Sequence, residues 1–142
     1  MAKERLLVKK LFKELSAKGF RVTRSYPGNA AGLPDIEAYK MPVLFGVECK
    51  SVNKYLSNAQ YVNDILKPSV LKSLQRFHGE RIVHAGGIFV VAATFRDKFA
   101  AVVFSATPPS NPLAQCAVIA DTVDDLVKLA FLDTYYQARA FK

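Results

Sequence analysis

The sequence predicts one α/β domain, a mixed β-sheet with helices packed on it. Three observations lead there. An opening segment carries apolar residues at helical spacing, several short β-rich apolar runs follow, and helical and extended segments alternate along the chain. A chain of 142 residues with 51% hydrophobic content is long enough for one core and too short for two ordinary domains.

From Lys3 to Lys18 the residues Leu7, Val8, Leu11, Phe12 and Leu15 recur with helical period, and Gly19 supplies the stop. At about 100° per residue the stripe centres near the direction of Glu4, one turn before Val8, with Glu14 roughly a quarter-turn off. A carboxylate in line with a core-facing stripe needs a reason, Glu4 more than Glu14. Phe20 to Tyr26 alternates and is β-rich, so a first strand is expected, and PGNAAGLP after it is a loop of small and turn-forming residues. Asp35 to Tyr39 and Val43 to Lys50 form a hairpin around Lys40-Met41-Pro42.

Residues 51 to 67 are polar and irregular, a loop with some helix. Pro68 opens a second helix marked by Val70, Leu71, Leu74, Phe77 and Ile82 and closed by Gly86-Gly87; the internal Gly79 costs it about 1 kcal/mol. The runs 88 to 94 and 98 to 106 are buried strands, 107 to 112 a loop, and 114 to 120 a further strand. The last helix begins at the capping-box-like Thr122-Val-Asp-Asp125. The whole of residues 1–142 is expected to be one domain, with a core over 1–106 and an extension over 107–142 that is a candidate dimerisation element.

Composition narrows the function. The 20 Lys+Arg against 12 Asp+Glu give a net charge of +8, with a pI near 9.6, which favours an anionic partner, nucleic acid before membrane. No run approaches the roughly 18 to 20 apolar residues that span a bilayer. The opening MAKERLLVKKLFKEL is charged throughout instead of carrying a signal-peptide core, so a soluble, cytoplasmic protein is expected. Cys49 and Cys116 have no CxxC or Cys/His spacing, which argues against a disulfide framework or a zinc site. Gly28, Gly86 and Gly87 belong to no phosphate-cradling glycine motif, and His78 and His84 have no ligand partner at useful spacing.

The stretch GLPDIEAYKMPVLFGVECKS, residues 32 to 51, sets Asp35, Glu48 and Lys50 on an otherwise apolar hairpin. Because side chains alternate along a strand, Glu48 and Lys50 share one face and Val47 and Cys49 the other. An unpaired buried charge costs several kcal/mol, which leaves two readings. Either Glu48 and Lys50 face solvent and Asp35 caps a turn after Pro34, or Asp35 and Glu48 hold a hard divalent cation beside Lys50.

Pro34-Asp35 followed by Glu48-Cys49-Lys50 resembles the PD-(D/E)xK signature of the restriction-endonuclease-like nuclease superfamily. GLPDI…VECKS is similar to archaeal-type Holliday junction resolvases and to the virus-type replication-repair nuclease (VRR-NUC) group. Gln75, ahead of AGGIFVVAATF, matches the downstream glutamine of the latter, and Glu4 stands where the superfamily often has an acidic residue on its first helix. The resemblance spans roughly residues 3 to 96.

It implies a restriction-endonuclease-like core in α-β-β-β-α-β order with an added C-terminal helix. It further implies a metal-dependent endonuclease acting on branched DNA, foremost a Holliday junction resolvase, alternatively a flap-, nick- or duplex-cutting enzyme. A non-catalytic DNA-binding protein on the same fold is the reading from another class. Asp35, Glu48 and the backbone carbonyl of Cys49 would bind Mg²⁺, with Mn²⁺ as substitute. Lys50 would position the water and stabilise developing charge, Gln75 would orient Lys50 or the water, and Glu4 would complete the metal's outer shell, with Glu14 the fallback. Arg5, Lys9, Arg21, Arg24, Ser25 and Lys54 would meet DNA. A four-way junction has approximate two-fold symmetry and needs paired cuts, so a homodimer is the expected assembly.

Overall fold

The computed structural model describes residues 2–24, 33–58, 60–106 and 113–140. Helix α1 (Ala2–Ala17) leads into strands β1 (Arg21–Arg24), β2 (Ile36–Lys40) and β3 (Val43–Ser51). A 3₁₀ turn (Leu56–Asn58) and helices α2 (Tyr61–Leu66) and α3 (Ser73–His84) precede β4 (Ile88–Thr94), β5 (Phe99–Ala106) and β6 (Leu113–Ala120). The chain ends in one helical arm: α4 (Val123–Val127), a π-helical turn (Lys128–Leu132) and α5 (Asp133–Arg139). The strands form one six-stranded sheet in sequence order. All neighbours are antiparallel except β3 and β4, whose parallel pairing follows from the crossover through α2 and α3. This is the mixed α/β sheet the sequence predicts, with helices on both faces. Among the described residues no helix is long and apolar enough to cross a membrane.

Each sheet face has its own core. On one, Leu7, Leu11 and Leu15 of α1 and Leu126, Phe131 and Tyr135 of the terminal arm pack on Phe45, Val47 and Cys49. On the other, Ile65 of α2 and Val83 of α3 cover Phe89, Val91 and Val102. Helix α1 stops where expected: Gly19 has φ +88°, and the Phe20 amide donates back to the Leu15 carbonyl at 3.0 Å. The arm starts with the Asp125 amide donating to the Thr122 hydroxyl at 3.1 Å, the cap its sequence predicts. Residues 113–139 are thus built into the sheet and the first core.

The second helix departs from expectation. Helix α2 falls within residues 51–67, where some helix is expected, but the helix expected from Pro68 starts late, after a turn in which the Val70 and Leu71 amides both donate to the Lys67 carbonyl. Proline disfavours helical conformation in the residue before it, and Lys67 is extended with ψ 147°. Helix α3 therefore begins five residues later, after the extended Lys72. Its phase differs too: Leu74 and Phe77, expected in the core, are exposed at 43% and 52%. The buried face instead carries Gly79, where a Cβ would lie 2.3 Å from the Phe89 ring. That close approach of α3 to β4 explains a glycine that costs helix stability.

Candidate active site

The hairpin register brings the acidic residues together. Ile36 pairs with Val47, and one further step of that register sets Asp35 opposite Glu48. The ladder ends before that step, so Asp35 serves as a side-chain acceptor in place of a backbone partner: its Oδ2 takes the Cys49 amide at 2.8 Å. Alternation along β3 sends Val47 and Cys49 into the first core, while Glu48 and Lys50 face α3. Glu48 is 3% exposed and Lys50 8%, so the solvent-facing reading of these two charges does not hold.

Gln75 joins them. Its Oε1 accepts from Lys50 Nζ at 2.8 Å and from the Lys72 amide at 3.0 Å, and its Nε2 donates to Glu48 Oε1 at 3.2 Å. Gln75 stands in the first turn of α3, and the bond from Lys72 is half of a capping box, so the group that caps the helix also fixes Lys50. Lys50 Nζ lies 3.7 Å from Glu48 Oε1, a buried ion pair at the edge of contact. Glu48 Oε2 is buried and has no hydrogen-bond partner among the described residues.

Burial is the main cause that pushes the Glu48 carboxyl up to about 9, and the neighbouring Asp35 carboxylate adds to it. Lys50 pulls the other way and Glu4 pushes further up. Two carboxylates at such close range share a proton or a cation, because neither can donate to the other while both are ionised. Glu4 reaches this site electrostatically from α1. Glu14 lies near the opposite end of that helix, accepting from Lys18 Nζ at 2.8 Å, and Lys18 also bonds Asp124 of α4. Its carboxylate pairs with the lysine that ties α1 to the terminal arm, whereas Glu4 is the α1 carboxylate that acts on Glu48. Burial also pushes the Cys49 thiol well up, which leaves it an inert core side chain.

The residues expected to meet DNA fall into three situations. Arg5 and Lys9 are exposed one turn apart on α1, and Arg21 and Arg24 are exposed on β1. Register distinguishes the two arginines: Arg24 pairs with Ile36, beside Asp35, whereas Arg21 pairs with Tyr39 at the far end of the strand. Lys54 is held by Asp64 at 3.0 Å. Ser25 lies outside the described residues.

One feature escapes a reading of motifs. Beside Pro34 a groove of about 350 Å³ opens between the β2–β3 hairpin and α3, with Leu44, His78, Arg81 and Ile82 along it. His78 and Ile82 follow Gln75 at i+3 and i+7, and that spacing on a correctly phased α3 is the signal that would have found them.

The residues present fit a hard divalent cation: two convergent carboxylates, one buried oxygen left without a partner, and a thiol turned away. Among the described residues no three Asp, Glu, His or Cys side chains surround one point. Two carboxylates and main-chain oxygen would then be the protein's share of the ligands, the rest falling to water and substrate.

No family model matches the sequence, and no curated protein does. Among solved structures the chain is similar to Hjc, a Holliday junction resolvase from the archaeal hyperthermophile Archaeoglobus fulgidus, at 16% identity and a TM-score of 0.45, over 90% of this chain and 95% of that one. A likeness this distant leaves the chemistry to be argued from the side chains.

Proposed function

We propose that the protein is a metal-dependent, structure-selective DNA endonuclease, foremost a Holliday junction resolvase. The observation that carries the nuclease reading is the half-buried Asp35 beside the buried Glu48, whose Oε2 has no hydrogen-bond partner among the described residues, set next to an ammonium that Gln75 holds in place. A protein that only bound DNA would gain nothing from this arrangement, since two carboxylates beside the phosphate path repel the backbone unless a cation lies between them.

Asp35, Glu48 and the Cys49 carbonyl would hold Mg²⁺ or Mn²⁺, which would supply Lewis-acid polarisation of a phosphodiester and a more acidic water. To serve as a ligand Glu48 would have to give up its proton. Lys50 presents a fixed positive charge where negative charge develops on the phosphoryl oxygens, and orients the attacking water. Gln75 keeps that ammonium from folding onto Glu48, and Glu4 adds negative charge at the site from α1. Arg24, at the site end of β1, meets the backbone of the bound strand, while Arg5, Lys9 and Arg21 contact phosphates farther off, positioning DNA without reading its sequence. The preference for four-way junctions rests on the similarity of GLPDI…VECKS to the resolvases.

Asp35→Ala is the decisive variant. It should lower Mg²⁺-dependent cleavage of synthetic four-way junctions about 10³-fold or more, equivalent to the several kcal/mol a catalytic cation contributes. Undiminished cleavage would remove the site assignment. Side-by-side assays on junction, flap, nicked and linear duplexes decide the substrate: equal rates on all four overturn the junction preference and leave the nuclease standing.

A further inference from the structure

The two edges of the sheet are built differently. Edge strand β1 has four residues, two of them exposed arginines, and a short charged edge is one that resists pairing with another chain. Edge strand β6 has eight residues, Leu-Ala-Gln-Cys-Ala-Val-Ile-Ala, with no charge, proline or glycine among them. This stands out in a chain that is 23% charged. β6 pairs with β5 over its full length, from Phe99↔Ala120 to Ala106↔Leu113, so it is regular and without a bulge along its described ladder. Among the described residues nothing pairs with its outer edge. Toward its end Ile119 is 40% exposed and Cys116 is exposed, so the apolar character continues onto the surface.

We infer that β6 is the homodimer interface: two copies pair β6 to β6, antiparallel, into one twelve-stranded sheet. A second copy is the occupant the strand itself specifies. An antiparallel pair of identical strands obeys a two-fold axis, so each free amide and carbonyl finds its partner in the same strand of the other copy and the assembly closes at two. Charge favours the same choice. At +8 per chain, two copies repel wherever basic surfaces meet, and β6 is an uncharged edge on which they come together without opposed charges.

The geometry deepens the proposed activity and rests on it only for its use. From β3 of one copy to β3 of its partner is seven strand spacings across the joined sheet, roughly 34 Å at about 4.8 Å each. The two carboxylate sites would thus be separated by about one turn of B-DNA, roughly 34–36 Å. Two symmetric cuts need two symmetry-related sites, and a two-fold dimer supplies them.

The test uses the full chain. Light scattering after size exclusion should give twice the chain mass, and the double variant Cys116→Lys, Ile119→Lys should give the chain mass with an unchanged circular dichroism spectrum. Hydrogen exchange on the unmodified protein reads the same interface without any variant. A paired edge protects every amide from Gln115 to Ile119, whereas a free edge leaves alternate amides fast. A monomer at 100 μM, or a dimer with alternate fast amides in β6, overturns the inference. Cleavage failing while the β6 dimer persists overturns the nuclease reading alone, and single-site nicking by a monomer overturns the dimer alone.

Discussion

The two faces of β3 are made by nine consecutive residues and obey opposite rules. On one face Phe45, Val47 and Cys49 meet α1 and the terminal arm; Phe45 lies 5.7 Å from Phe20 and 5.4 Å from Phe131, ring centre to ring centre. On the other, Glu48 and Lys50 are nearly as deeply buried yet ionisable, held by Gln75 and by their own 3.7 Å ion pair. The apolar face contributes stability through burial. The charged face costs stability, because ionisable groups taken out of water are compensated only in part, and no described residue donates a hydrogen bond to Glu48 Oε2. A strand thus carries a site by setting a well-packed face against a strained one, with the backbone common to both.

Substitutions on either side of β3 should separate these roles. The largest effect is expected from Phe45→Ala, which empties a fully buried ring site and should cost about 3–5 kcal/mol of folding stability, measured by urea unfolding. If stability fell by less than 1 kcal/mol, the first core would not be the one that holds the sheet. Lys50→Ala should leave the fold intact and lower cleavage about 10²- to 10³-fold, the range for a lost electrostatic stabiliser. An unfolded variant would show that the ammonium is structural.

Gln75→Ala is milder. It frees the Lys50 ammonium and removes one bond to Glu48, so activity should fall roughly 10- to 100-fold, as for the supporting partners of metal ligands. Gln75→Glu, which keeps the acceptor for Lys50 and loses the donor to Glu48, separates the two contacts: activity near the wild-type level would assign the role to Lys50 alone.

The smallest effect at any one pH is a slope. The Glu48 carboxyl is pushed up to about 9 in the folded chain, against an ordinary value of 4.5. Between these values the folded state holds a proton that the unfolded state has released. The stabilisation from that proton is fully present below pH 4.5 and is lost as pH rises through about 9. In divalent-free buffer folding stability should therefore fall across this window, by up to about 1.4 kcal/mol per pH unit, and the melting temperature with it. Glu48→Gln should flatten the fall and abolish cleavage. A cation displaces the proton, so adding Mn²⁺ at pH 8 should raise the melting temperature of the unmodified protein and not that of Glu48→Gln.

Much of this was legible in the chain. The period of Leu7, Leu11 and Leu15, the glycine stop at Gly19, the cap at Thr122 and the alternation through residues 43–50 are local signals, and local backbone geometry obeys them. The candidate site was legible for the same reason: Glu48 and Lys50 share a face by alternation alone, and Asp35 comes beside them through a hairpin. Helix α3 was legible in type and not in phase. Leu74 and Phe77 look like core residues until Gly79 is seen against Phe89, a contact ten residues along the chain that decides which way the helix turns.

By itself, then, the sequence determined the order of elements, the sided character of β3 and the identity of its charged residues, since those depend on a few neighbouring dihedrals and a period of two or 3.6. Only the tertiary structure decided that no described residue donates to Glu48 Oε2, that Glu4 acts on Glu48 while Glu14 pairs with Lys18, and that β6 ends the described sheet as an uncharged edge. Each of these depends on which distant segments are brought together, and the free energy of that choice is spread over two cores instead of being written in any one stretch of chain.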